Sequence, residues 1–132
     1  MDSASIDLAG SRVQAVTTEG STLRIRFQPA YIVKTMTGSA ERTRWHQNGQ
    51  LVFEGAQLEG ELPALPAVCS GGDVGENIYT YRDMIPVPLS SRGQAFCDLG
   101  FEGTEQRLRV QGTGVVLEME DVPKYIEHLR PE

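Results

Sequence analysis

The sequence predicts an all-β domain, a bent antiparallel β-sandwich or flattened barrel of about 7-9 strands with at most one short C-terminal helical turn. Three observations point there. Apolar and polar residues alternate with period two in several long segments. In some of these the apolar parity switches beside a glycine, as it does where a bulge bends a strand. The i, i+3, i+4 apolar spacing of an amphipathic helix is nearly absent,.

The elements follow in order. "SRVQAVTTEG" reads as a strand, with Glu19-Gly20-Ser21 as the turn into "STLRIRFQPAYIVKT". There Leu23, Ile25, Phe27, Tyr31 and Val33 share the parity of a buried face, while Arg24, Arg26, Gln28 and Lys34 take the other,. Pro29 falls on the buried parity but has no N–H, so this strand is expected at a sheet edge, or bulged or broken there. In "TRWHQNGQLVFEGAQLEG", Asn48-Gly49 suits a turn between two strands,. Leu51 and Phe53 have odd parity and Ala56, Leu58 and Leu62 even parity, which places a one-residue bulge at Gly55,.

Residues 61–90 are less regular, with four of the seven prolines and the Gly71-Gly72 pair, and read as long loops,. "GQAFCDLGFE" puts Ala95, Cys97, Leu99 and Phe101 on one face. "QRLRVQGTGVVLEME" moves from Leu108 and Val110 to Val115, Leu117 and Met119 across "GTG". The final "DVPKYIEHLRP" fits two structures. Asp121 as cap, Pro123 in the first turn and Tyr125, Ile126 and Leu129 on one face describe a helical turn; an edge strand fits equally well,.

Composition narrows the functions. A chain of 132 residues is one domain, 1–132, and long enough to bury a core, with Leu, Ile, Val and Phe at 32 positions,. A formal charge of −6 repels phosphate backbones, so nucleic acid is not an expected partner,. Ten of the twelve basic residues are arginine. Those at 24, 26, 42, 44, 107 and 109 form either a basic patch or, as outward strand residues usually do, pairs with cross-strand carboxylates,. No apolar run reaches the ~20 residues of a membrane-spanning helix, and the start has no basic-then-apolar signal, so a cytoplasmic protein away from membranes is expected. Two cysteines, Cys69 and Cys97, are expected as free thiols there, with a bridge between them as the alternative for an exported chain,.

Chemistry-bearing patterns are sparse. Cys69 ahead of "SGGDVG" could serve as a nucleophile if His46 or His128 reached it, but no nucleophile signature surrounds it, and a structural loop cysteine is the plainer reading,. The same glycines could form an anion nest, although the lysine of a phosphate loop is missing and Asp73 and Glu76 oppose an anion,. A calcium site from Asp73, Glu76 and Asn77 matches no known loop spacing,. No H-E-x-x-H or C-x-x-C occurs, so neither a metal nor another cofactor is expected,. The candidate ligand or partner contacts are Trp45, His46, Tyr79, Tyr81 and Arg82. Tyr79 and Tyr81 share a strand face and can supply rigid amphipathic contact area, with Arg82 pointing the other way,. Trp45 is the only tryptophan and His46 one of two histidines. The structural alternative makes Trp45 a rim residue closing one end of the core and His46 its surface neighbour.

The phrases "AYIVKT", "RWHQNGQLVFEGA", "ELPALP" and "NIYTYRDMIPVPL" resemble those of short uncharacterised bacterial proteins that keep similar wording in similar order. The resemblance covers most of the chain and implies a bacterial cytosolic protein that stands as a free domain. It carries no activity and no functional residue. The sequence therefore leads to a non-enzymatic binding or protein-interaction module, a homodimer through an edge strand or an exposed aromatic face. The alternative is a small-molecule carrier with a pocket at one barrel end lined by Trp45, Tyr79 and Tyr81.

Overall fold

Alternating side chains give the long strands one apolar face, and one antiparallel sheet curls to bring those faces together. A computed structural model of the chain describes residues 3–36, 38 and 40–129, so the first two residues and the closing residues 130–132 lie outside the description. Eleven strands follow in order: β1 (Ser3–Asp7), β2 (Arg12–Glu19), β3 (Thr22–Thr35), β4 (Arg42–Glu54), β5 (Gln57–Glu59), β6 (Ala67–Glu76), β7 (Tyr79–Arg82), β8 (Met84–Val87), β9 (Ser90–Phe101), β10 (Arg107–Met119) and β11 (Lys124–Leu129). The all-β class is as the sequence predicts. The number of strands exceeds the expected range because two lines of chain are each cut in two: β5 continues β4 along β10, and β11 continues β10 along β4.

Pairing runs β4-β10-β9-β6-β2-β3 and returns to β4, so six strands ring the core as a flattened barrel. The outer halves of β3 and β4 extend beyond the ring. There they carry β1 and β11, and β8 pairs with β1, giving a second, open layer in the order β8-β1-β3-β4-β11. Ile6, Ile32 and Ile85 from this layer join Leu23, Phe27, Phe53, Val74, Leu99 and Leu108 in a single buried cluster.

Bulges set which residues enter that cluster. The β3–β4 register shifts between Phe27 and Ala30, so the inward face passes from Leu23, Ile25 and Phe27 to Ala30 and Ile32. The bulge at Pro29 thus corrects the expectation for Tyr31 and Val33, which come to face outward and are only half-buried. The shift between Gly112 and Gly114 moves the inward face from Leu108 and Val110 to Val115 and Leu117, as "GTG" predicts. No residue is inserted at Gly55: Gln57 meets Gln111 in the register that Glu54 sets with Gly114. Leu58, although opposite the buried Val110, and Leu62 are exposed rather than core, while Ala56 packs against the core.

Two expected turns or loops are strand. Asn48-Gly49 lies inside β4, and a Cβ on Gly49 would stand 2.8 Å from the Met119 sulfur, so glycine here makes room for a side chain. The stretch containing Gly71-Gly72 is the middle of β6. Gly72 has φ +145 and passes so close to β9 that a Cβ would sit 2.2 Å from Asp98 O. A close crossing of two backbones requires glycine, and the composition of a loop is the result.

The ring closes narrowly, through Arg12 against Val68 and Val13 against Ala67. Ser11, the buried polar residue among those described, reinforces this seam. Its carbonyl accepts Cys69 N–H at 2.8 Å. Its hydroxyl donates to Asp7 O at 2.6 Å and accepts Tyr31 N–H at 2.9 Å, tying β1 to β3. In Ser11→Ala the Tyr31 N–H loses its partner, and urea unfolding is expected to show a loss of about 1–3 kcal/mol. A loss under about 0.5 kcal/mol, the range of ordinary surface changes, would show that this amide is satisfied elsewhere.

Candidate functional site

The five residues singled out by sequence occupy two separate regions. Trp45 and His46 lie on β4, while Tyr79, Tyr81 and Arg82 form β7, which hangs from β6. β6 is three strands from β4 in either direction around the ring. His46 lines one cleft and Arg82 another, and Trp45, Tyr79 and Tyr81 line neither. Core side chains fill the interior of the ring, and these three aromatics are divided between β4 and β7.

Trp45 pairs with Ile32 on one side and Tyr125 on the other. It is half-buried against the end of the core, with its indole N–H donating to Thr43 Oγ1 at 2.8 Å. Lys34 Nζ stands 4.3 Å from the centroid of its ring system. The Tyr125 ring meets it edge-on, centroids 5.3 Å apart and planes at 78°. This is the rim position expected of Trp45, now with an exposed tyrosine carried on it. Quadrupole attraction favours such an edge-to-face pair by about 0.5–1.5 kcal/mol beyond area burial.

His46 stands where both neighbours of β4 are interrupted at one level. β3 bulges at Gln28–Pro29, and the chain between β10 and β11 leaves the sheet at residues 120–123. The gap is a cleft of about 270 Å³ between Pro29, His46, Asp121 and Lys124. Polar groups along β4 close it. Gln47 Nε2 donates to the carbonyls of Glu120 at 2.7 Å and Asp121 at 2.9 Å, and Asn48 N–H donates to Asp121 Oδ1 at 3.3 Å. Asp121 takes φ 45, a left-handed conformation that Asp tolerates because its short carboxylate bonds locally,. These bonds turn the chain from β10 into β11.

On β7, alternation holds but the two tyrosines have different work. Tyr79 is 58% exposed, whereas Tyr81 packs against the core with its hydroxyl donating to Glu76 Oε1 at 3.3 Å. Partial desolvation, and then the Glu76 carboxylate, push the Tyr81 phenol above its ordinary value. Arg82 is exposed and pairs with Asp73 at 3.3 Å. Asp83, at φ 60, closes the corner, accepting Gly72 N–H at 2.9 Å and donating its own N–H to Gly72 O at 2.6 Å.

Five of the six arginines weighed as a basic patch pair with carboxylates instead. Arg24 pairs with Glu118, Arg26 with Glu120, Arg44 with Asp7, and Arg107 and Arg109 share Asp98. Cys69 is not a loop residue but a fully buried member of β6, its S–H donating to Gly71 O at 3.3 Å. Burial pushes its thiol up, and pushes the Cys97 thiol up strongly. A buried thiol bonded to a carbonyl has neither the thiolate character nor the base that a nucleophile needs. Among the described residues no group of three or more His, Cys, Asp or Glu is placed to hold a metal ion. Among the same residues no helix is long and apolar enough to cross a membrane.

Sequence reading missed the most exposed apolar residues near Trp45. Val122, Tyr125 and Ile126 are 73%, 55% and 40% exposed, on and just before β11. The spacing of Tyr125, Ile126 and Leu129 fitted a helical turn as well as an edge strand, because a strand wetted on both faces has no period-two pattern to find, and the edge strand is what forms. Comparisons with protein-family models, curated proteins and solved structures give no match to this chain.

The thiols yield a pH dependence. Each folded pKa lies above the ordinary thiol value of 9.0, so the neutral form is favoured by folding. That stability is fully present below pH 9 and is lost as pH rises from there toward the folded values, because only the unfolded chain ionises. Chemical unfolding above pH 9 is expected to show stability falling with pH, and falling less steeply in Cys97→Ala. An identical slope in that variant would contradict the burial of this thiol.

Proposed function

We propose that the chain is a non-catalytic interaction module that assembles through the outer edge of β11 with a second copy of itself. One observation carries this reading. β11 is an ordered strand that pairs only with β4, and five of its six residues are exposed. Holding a residue in one backbone conformation costs about 1–2 kcal/mol, and burial by this strand does little to offset it in a single chain. The β4 ladder, the Trp45–Tyr125 contact and the His128–Glu41 pair at 2.8 Å hold it in place. A partner strand would use the remaining backbone donors and acceptors and cover Tyr125 and Ile126.

The two edges of the open layer contrast. β8 carries Pro86, which has no N–H to donate, and is followed by Pro88. Proline on an edge blocks pairing. No proline interrupts β11. Its charges also favour a copy of itself. Lys124 and Glu127 lie on either side of Tyr125-Ile126, so an antiparallel copy brings each Lys124 toward the partner's Glu127 about a two-fold axis,. Parallel stacking would set like against like.

Sedimentation across the micromolar to millimolar range is expected to show a monomer–dimer equilibrium, with Trp45 emission changing along it. Ile126→Asp is expected to remain monomeric with unchanged circular dichroism, since Ile126 is exposed. A wild-type monomer throughout, or an Ile126→Asp dimer, would overturn the proposal.

A further inference from the structure

On β9, Ala95 and Cys97 point into the core and Phe96 between them points out. An apolar ring on the outer face of a barrel needs a cover, and its neighbour on β6 is Gly75. A Cβ on Gly75 would stand 2.0 Å from Phe96 Cε1, so the ring rests against bare backbone and stays half-buried. On the other side Phe96 meets Gln111, which in turn meets Gln57 of β5. The outer face therefore carries an aromatic ring flanked by amide side chains.

Beside the ring, the bulge between β9 and β10 opens a cleft of about 400 Å³, within the range of small-molecule sites,. Asn77, Gln94, Gln111 and Thr113 supply its polar groups, and none of its lining residues is charged. Asn77 is fixed, its Nδ2 donating to Ser91 Oγ and Arg92 O at 3.0 Å each. The side-chain amides of Gln94 and Gln111 make no bond to any described residue. Gly112 lies against β4, where a Cβ would reach within 2.7 Å of Glu54 O. A smaller cleft of about 140 Å³, bounded by Glu59, Asp98 and Arg109, continues on the far side of Phe96 and Gln111.

We propose that this face binds a neutral saccharide, with Phe96 as stacking platform and Gln94 and Gln111 as hydrogen-bonding groups. An uncharged cleft on a chain of net charge −6 offers nothing to a phosphate or carboxylate,. Its polar groups do not suit a wholly apolar ligand, because each would be buried without a partner. A sugar ring answers both sides of the site. Its C–H face packs on the aromatic ring, and its adjacent hydroxyls meet amides that each carry a donor and an acceptor. The second cleft lets more than one sugar unit cross Phe96.

The test is a titration of the isotope-labelled protein with linear glucose, N-acetylglucosamine, mannose and galactose oligosaccharides, and with adenosine as a neutral stacking control. At least one oligosaccharide is expected to shift the Gln94 and Gln111 side-chain amides and the Ala95 and Gly112 backbone amides. Phe96→Ala is expected to weaken that binding at least about tenfold, and Phe96→Tyr to retain it. Gln94→Ala/Gln111→Ala, altered only at exposed positions, is expected to weaken it as well and serves if Phe96→Ala unfolds. Absence of shifts with every oligosaccharide at millimolar concentration overturns the proposal. So does binding of adenosine alone, or binding that survives these substitutions.

Discussion

β4 pairs with β3 from Leu23 against Phe53 to Thr35 against Arg42, and the rest of the molecule is arranged around that ladder. Each strand has a ring half and an outer half. In the ring half β3 takes β2 and β4 takes β10; in the outer half the same strands take β1 and β11. One pair of long strands thus belongs to both a closed barrel and an open layer. Closure pairs every ring strand with two neighbours, narrowly at β2–β6, and the open layer retains two edges, β8 and β11,.

The surface over the ladder is held by charge. Arg24 donates to Gln50 of β4 at 3.1 Å and to Glu118 of β10 at 2.8 Å, and Arg26 pairs with Glu120 just beyond β10. These bonds cross β4 and lock the three strands in register. Exposed pairs of this kind add little to stability, about 0–1 kcal/mol each. Their effect is to occupy the arginines, which leaves an acidic surface with an uncharged cleft on one side of Phe96 and apolar ground around Tyr125.

Much of the fold was legible because period two records burial. The β2–β3 hairpin, the inward face of β9 and the shift at Gly112–Gly114 all follow from it. What the pattern could not contain was the partner strand. Gly72 and Gly75 read as loop because their purpose is the closeness of Asp98 and Phe96 from β9. Gly49 read as a turn because Met119 lies over it. Pro29 marked an interruption in β3, but only the pairing with β4 shows that the inward face changes there. The candidate site was less legible. Trp45 was found because it is a single large ring, and its partner Tyr125 was concealed by a strand exposed on both faces. Phe96, a lone outward ring, looked like the polar half of an alternation.

The central claim is that β11 is an open edge for a second copy and β8 is a closed one. Residue-resolved amide hydrogen exchange on dilute and concentrated protein tests it most directly, because it reads the two edges separately. The account predicts that the β11 amides not bonded to β4 exchange fast when dilute and become protected when concentrated, while β8 is unchanged. Exchange in β11 that is independent of concentration, or concentration-dependent protection at β8 instead, would contradict it.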